Sequence, residues 1–287
     1  MSNVAILDRA SKNGAKPVVI AIHCSGGNAS EWRKLGQSLG DEFSLVAPNL
    51  IGSGGMPHWS DERAFRLTDE AAQIVKIIDS VERPVHLVGH SYGGCVALRA
   101  AIERPSRVAS MTLYEPVAFH VLKLAGTDGM KMLEAVQAVA DSINRLILLG
   151  DHQAASKRFI ESWNAEGTWE SMHDDARADV IRYIPKLYLE YSAAFSERIP
   201  LVAYRRLYFP IQILQGEFAL ETIQVIARHL AKALRFPSLQ TVYGAGHMGP
   251  FSHAECVNDL IAAHVFRAAG LYRSADRDAF ARRQAVA

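Results

Sequence analysis

The stretch Val85-His86-Leu87-Val88-Gly89-His90-Ser91-Tyr92-Gly93-Gly94 limits the possible folds more than any other part of the chain. A short apolar run meets Gly-His-Ser-Tyr-Gly, and helix formers then continue over residues 95–104, ahead of Pro105. That order reads as strand, sharp turn and helix. Glycines at 89 and 93 leave room for neighbouring backbone, so Ser91 can sit strained on the turn with its hydroxyl above a sheet. The same turn aims the Tyr92 N–H, at the start of a helix, toward whatever Ser91 attacks. A serine alone is a poor nucleophile, so this pattern calls for a histidine to take its proton and a carboxylate to orient that histidine.

A chain of 287 residues, 49% of them hydrophobic, can bury one sizeable core and a smaller appended unit. Its formal net charge of +1 supplies no field to attract nucleic acid or an anionic membrane, so the expected partner is a small-molecule substrate chosen by a local pocket. No apolar run reaches about 18 residues, and the N-terminus Met1-Ser2-Asn3-Val4 lacks a basic region followed by a hydrophobic core; a cytoplasmic protein is expected. Cys24, Cys95 and Cys256 are too few and too scattered for a disulfide framework or a zinc site, and are read as free thiols.

Along the chain, a short strand is expected around residues 4–7, then a polar turn through Lys12, Asn13 and Gly14. The run Val18-Val19-Ile20-Ala21-Ile22 reads as a strand covered on both faces and leads into His23-Cys24-Ser25-Gly26-Gly27. Asn28 with Glu31 three residues on has the form of a capping box, so a helix is expected over 29–39. A strand at 43–47 precedes the glycine-rich loop 48–55, and Thr68 is read as the N-cap of a helix to about Val81. Residues 107–114 form a strand that delivers Glu115, held extended by Pro116. Between 117 and 206 the pattern is helical throughout, with Pro185 implying a kink or break and Trp163, Trp169 and Met172 falling between the helices. Strands at 210–215 and 239–243, helices at 221–235 and 254–269, and the loop Gly244-Ala245-Gly246-His247-Met248-Gly249 complete the pattern. The tail with Arg273, Arg277, Arg282 and Arg283 reads as a frayed helix or an interface extension, which leaves a homo-oligomer open.

On the Gly-x-Ser-x-Gly turn after its strand, the 23–27 loop upstream and the glycine-flanked His247 downstream, residues 18–266 resemble the α/β-hydrolase family. The resemblance implies an α/β fold: a mostly parallel central sheet flanked by helices, with an inserted helical cap. The core would comprise 1–116 and 207–287, and the cap 117–206, inserted after the sixth strand. The family order Ser, acid, His makes His247 the base, whereas the other histidines, including His23, His86, His90 and His253, lack that context and are read as packed or solvated. Position in the family loop assigns the oxyanion donors to the N–H groups of Ser25 and Tyr92, with Cys24, which replaces the usual glycine, as the fallback.

The acid departs from the family pattern. It is usually an Asp three residues after a Gly, but Gly216 is followed at that spacing by Ala219. Glu115 from the preceding strand, Glu217 or Glu221 from the usual loop, or a water in place of the carboxylate remain open. The resemblance implies a serine hydrolase acting on a small, largely apolar carboxylic ester through an acyl-enzyme, with no metal or organic cofactor required. Two other readings stand beside it: a carbon–carbon bond hydrolase of ring-fission diketones, and a small-molecule receptor with slow or no turnover, to which the missing acid at Ala219 lends weight.

Overall fold

The computed structural model describes residues 4–6 and 16–271. The turn expected at Lys12, Asn13 and Gly14 and the arginine-bearing tail lie outside the described residues. Uninterrupted apolar runs become the central strands, because a strand covered on both faces has no position for a solvated side chain. In β2 (Val18–Ile22) residues 19–22 are buried, and in β4 (Val85–His90) all six residues are. With β1 (Val4–Ile6), β3 (Ser44–Pro48), β5 (Val108–Tyr114), β6 (Ile211–Gly216) and β7 (Pro237–Val242) they form one seven-stranded sheet, ordered β1-β3-β2-β4-β5-β6-β7. β1 runs antiparallel to β3, and every other pair is parallel.

Alternate residues of each strand feed two layers. Ile20, Ile22 and Leu87 pack with α2 (Leu67–Ser80), α3 (Tyr92–Glu103) and the later α9 (Glu221–Ala233), whereas Val19, Ala21 and Val88 pack with α1 (Arg33–Leu39) and α11 (Ala254–Ala268). The sheet is thus buried on both faces, as parallel sheets require. Among the described residues no helix is long and apolar enough to cross a membrane.

Between β5 and β6 the chain is helical: a 3-10 segment Phe119–Leu124, then α4 (Gly126–Leu148), α5 (His152–Trp163), α6 (Thr168–Ser171), α7 (Asp174–Ser196) and α8 (Leu201–Tyr204). Its apolar residues, Phe159, Trp169, Tyr183 and Leu187 among them, join the same cluster as Leu113 and Val117 of the sheet side. Six strands were expected ahead of this insertion. Five precede it, because Val4–Ile6 is the one strand before Val18 among the described residues.

Three local expectations are corrected. Helix α2 starts at Leu67 with Arg66 as N-cap, not Thr68, because the Asp69 carboxylate reaches back to the Arg66 N–H at 2.9 Å and also binds the Arg63 guanidinium. Asn28 does cap, accepting from the Ser30 N–H at 2.9 Å, but Glu31 turns inward instead of closing a capping box, and the first turn, Ala29–Trp32, is 3-10. Pro185 does not break α7, which continues through it with the proline exposed; its missing N–H forgoes one helical hydrogen bond. The two glycine-bearing loops at the ends of β4 and β7 bring the predicted site residues to one edge of the parallel strands, on the side where the insertion sits.

Candidate active site

Ser91 links β4 directly to α3, with φ 54° and ψ −117°, a backbone conformation that L side chains rarely adopt. The glycines around it are required by close approach. A Cβ on Gly93 would lie 2.4 Å from the carbonyl oxygens of Ile22 and His23, and one on Gly89 would lie 2.5 Å from the Gly93 oxygen. The first turn of α3 is therefore pressed against the end of β2.

His247 follows β7 on its glycine-flanked loop, shaped by the Tyr114 hydroxyl donating to the Gly246 carbonyl at 2.7 Å. Its Nε2 lies 2.9 Å from Ser91 Oγ, and its Nδ1 lies 2.7 Å from Glu115 Oε2. All three side chains are buried, Glu115 completely. Burial pushes the His247 pKa down, and the hydrogen bond and charge of Glu115 oppose that without cancelling it, so the imidazole is neutral at pH 7. A neutral imidazole held between a hydroxyl and a carboxylate can accept the hydroxyl proton.

Of the candidate acids, Glu115 is the one brought to His247. Its other oxygen accepts from the Gly216 N–H at 2.8 Å, and its own N–H donates to the Leu214 carbonyl at 2.9 Å. Glu115 is not extended ahead of Pro116: its φ is 42°, and these bonds to β6 hold it there. Glu217 accepts instead from the Gly244 N–H at 2.8 Å, and Glu221 is an exposed residue at the start of α9. Ala219, at the usual acid position, is a buried apolar residue.

The Cys24 N–H is taken by Glu31 Oε2 at 3.0 Å. The fallback donor is thus engaged, while the hydrogen bonds among the described residues do not use the N–H of Ser25 or Tyr92. Glu31 also lies 2.8 Å from His90 Nδ1, and His90 Nε2 lies 2.9 Å from the His247 carbonyl oxygen. That carbonyl can only accept, so Nε2 carries a proton, and the Glu31–His90 contact shares one more. The pair braces the backbone of His247 from behind.

His90 and Glu31 were not legible as site residues in the sequence, because their partners lie 59 and 157 residues away and Glu31 stands at a helix start where a capping role suffices. Cys24, Glu31 and His90 place three ligand-type atoms within 4.8 Å of one another, a spacing that could hold a metal ion. Here the carboxylate and imidazole bond each other, and burial together with the Glu31 charge pushes the Cys24 thiol well up, which keeps it protonated.

Ser91 and His247 open into a small cavity shared with Ser25, Tyr92 and Met248 and walled by Phe119, Phe159, Ile160, Trp163, Leu187 and Tyr191. Trp163, at the end of α5, stacks on the His247 ring with centroids 4.4 Å apart and planes at 25°. Trp163 and Trp169 were expected between helices; they lie within α5 and α6 instead, and periodicity could not say that Trp163 touches the imidazole.

The Gly93→Ala substitution is expected to destabilise the fold by about 1–3 kcal/mol or more, since its methyl meets backbone that cannot rotate away. Denaturant unfolding of the variant beside the parent checks this, and equal midpoints would show that the close contact is not required.

Comparison with known proteins agrees with this architecture. Residues 19–260 match the family model described as "Alpha/beta hydrolase family". The lipase LipV of Mycobacterium tuberculosis is 30% identical over 125 residues, 43% of this chain and 44% of the lipase. The 2-hydroxy-6-oxo-2,4-heptadienoate hydrolase of Pseudomonas putida is 28% identical over 159 residues, 53% of this chain and 54% of that protein. The matches thus span about half the length of these curated relatives or less. Among solved structures, the 2-hydroxy-6-oxo-6-phenylhexa-2,4-dienoate hydrolase from Rhodococcus sp. strain RHA1 shares the fold, with a TM-score of 0.64 at 20% identity over 88% of this chain and 92% of that one. Sheet order, the strand-to-helix serine turn and a family match running from β2 into α11 agree, and the chain belongs to the alpha/beta hydrolase family.

Proposed function

We propose that this hydrolase cleaves small, largely apolar carboxylic esters through an acyl-enzyme on Ser91. The observation that carries the proposal is the unbroken relay from Ser91 Oγ to His247 Nε2 at 2.9 Å and from His247 Nδ1 to Glu115 Oε2 at 2.7 Å. His247 accepts the Ser91 proton as the hydroxyl attacks the ester carbonyl, then returns it to the leaving alcohol. Glu115 fixes the Nε2-accepting tautomer and stabilises the imidazolium, while the N–H groups of Ser25 and Tyr92 hold the oxyanion. A water activated by the same imidazole releases the acid. The helical insertion, residues 117–206, acts as a cap that walls the cavity and keeps bulk water out of it.

A second reading, carbon–carbon hydrolysis of a ring-fission diketone, is favoured by the likeness to the dienoate hydrolase of Pseudomonas putida. Its disfavouring observation is electrostatic. A dienoate carries a carboxylate, but among the described residues no Lys or Arg lines this cavity, and Glu190 is the one carboxylate along its wall. An anion would enter a dry site without a counter-charge, which is costly, whereas an uncharged ester would not. The ground for a receptor without turnover was the absent acid, and Glu115 beside His247 supports catalysis instead.

The test is a panel of p-nitrophenyl esters of increasing acyl length set against a ring-fission diketone, with a fluorophosphonate to label Ser91. Ester turnover abolished by Ser91→Ala is expected; preference for the diketone would select the second reading, and an unlabelled folded protein with no turnover would select the receptor. Glu115→Gln is expected to lower kcat by about 10³- to 10⁴-fold with folding intact, since the amide favours the wrong imidazole tautomer. An unchanged rate would remove Glu115 from the relay. Because the base works neutral and the His247 pKa is lowered, kcat/KM should stay level through neutral pH and fall only as pH drops through a value below 6.5. A pH–rate profile with its acid limb above 6.5 would contradict that environment.

A further inference from the structure

Ser25 lines the cavity with Ser91, yet its side chain is held from the insertion. Its hydroxyl donates to Glu190 Oε2 at 2.5 Å, a partner 165 residues away on α7. Glu190 also accepts from the Tyr183 hydroxyl, and Lys186 Nζ lies 2.9 Å from its Oε1. On its other side Lys186 lies 3.4 Å from Glu70 of α2, whose second oxygen takes the Ile51 N–H at 2.7 Å. Glu70, Lys186 and Glu190 are all at most 3% exposed. One buried chain of charges thus joins the insertion, the core helix α2, the loop after β3 and the loop after β2.

Holding an insertion against a core does not call for such a cluster. Burying three ionisable groups is expensive, and apolar side chains of the same volume would bind two helices together at least as well. A directed hydrogen bond is what apolar groups cannot supply. Donation to Glu190 commits the Ser25 proton away from Ser91 and fixes the rotamer beside the Ser25 N–H. Lys186 makes the carboxylate tolerable there. Burial works against its ammonium, but the pull of Glu190 and Glu70 outweighs burial and raises its pKa, while burial raises Glu70 to about 7.

We propose that Glu190, charge-balanced by Lys186, is a positioning residue that sets the oxyanion loop through the Ser25 side chain, so that the insertion contributes to catalysis and not only to enclosure. The proposal rests on the assignment of the Ser25 N–H as an oxyanion donor.

A double-mutant cycle on the full chain, with a p-nitrophenyl ester as substrate, tests it. Ser25→Ala and Glu190→Ala are each expected to lower kcat by about 10- to 100-fold, the scale of a catalytic group misplaced by about an ångström, with KM changed less than about twofold. The double variant should be no slower than the slower single one, because both remove the same tether. Glu190→Gln, which keeps an acceptor for Ser25, should recover part of the loss. Multiplying losses in the double variant, or a loss confined to KM, overturns the proposal. Ser25→Ala leaves the charged cluster intact and decides the case if Glu190→Ala does not fold: kcat within about twofold of the parent overturns it. Turnover surviving Ser91→Ala would reject the serine hydrolase itself, and the proposal with it; turnover lost in Ser91→Ala but unchanged in Ser25→Ala rejects the positioning role alone.

Discussion

Ser91 is held in a backbone conformation that costs on the order of 1–3 kcal/mol, and contacts with β5, β2 and the segment after β5 keep it there. Its N–H donates to the Tyr114 carbonyl on β5 at 2.9 Å, while its own carbonyl accepts from Gly94 and from Val117 beyond β5. Gly93 lies against the carbonyls that end β2. Relaxing φ at Ser91 would swing α3 away from that strand and break the bonds to β5, so the strain is distributed over the centre of the sheet. The position of the hydroxyl is consequently a property of the whole parallel sheet and not of the five-residue turn.

In the proposed relay, the same constraint explains how the acid can leave the loop where the family usually places it. β5 adjoins the strand that carries Ser91, and neighbouring strands are about 4.8 Å apart, so a carboxylate on β5 starts nearer the serine than one on β6. The additional methylene of Glu and the positive φ of 42° at Glu115 together turn the carboxylate toward His247. β6 gives up the carboxylate but keeps a share in orienting it, since the Gly216 N–H binds the oxygen that His247 does not use. Hydroxyl, imidazole and carboxylate keep their order along the chain while one of them changes strand.

Much of this was legible in the sequence. Short, nearly continuous apolar runs bounded by turn residues read as strands covered on both faces, so 18–22 and 85–88, the latter with His86 inside it, place the sheet, and glycines on either side of Ser91 and His247 mark where backbone must approach closely. Glu115 was one of several candidates because periodicity locates a strand end but not the direction of the side chain beyond it. Glu31, His90, Glu190 and Lys186 were illegible for a different reason. Each takes its meaning from a partner far away in sequence that only the packed fold supplies, Lys186 from Glu70 and Glu190 from Ser25.

Charge placement around the cavity has a consistent logic. Lys186 stands between two carboxylates, which leaves no Lys or Arg among the described residues lining the cavity to face a substrate anion. In the proposed reaction the charges that develop are a transient oxyanion, met by backbone N–H groups, and an imidazolium on His247. Burial opposes that imidazolium, as the lowered His247 pKa records. Two features offset the opposition without requiring a further ionised group in the cavity. Glu115 provides a fixed counter-charge at Nδ1, and the face of Trp163, 4.4 Å from the imidazole centroid, attracts a cation more than a neutral ring. Because Trp163 belongs to α5, the insertion proposed to exclude water from the site would also return part of the stabilisation that the excluded water would have given the charged histidine.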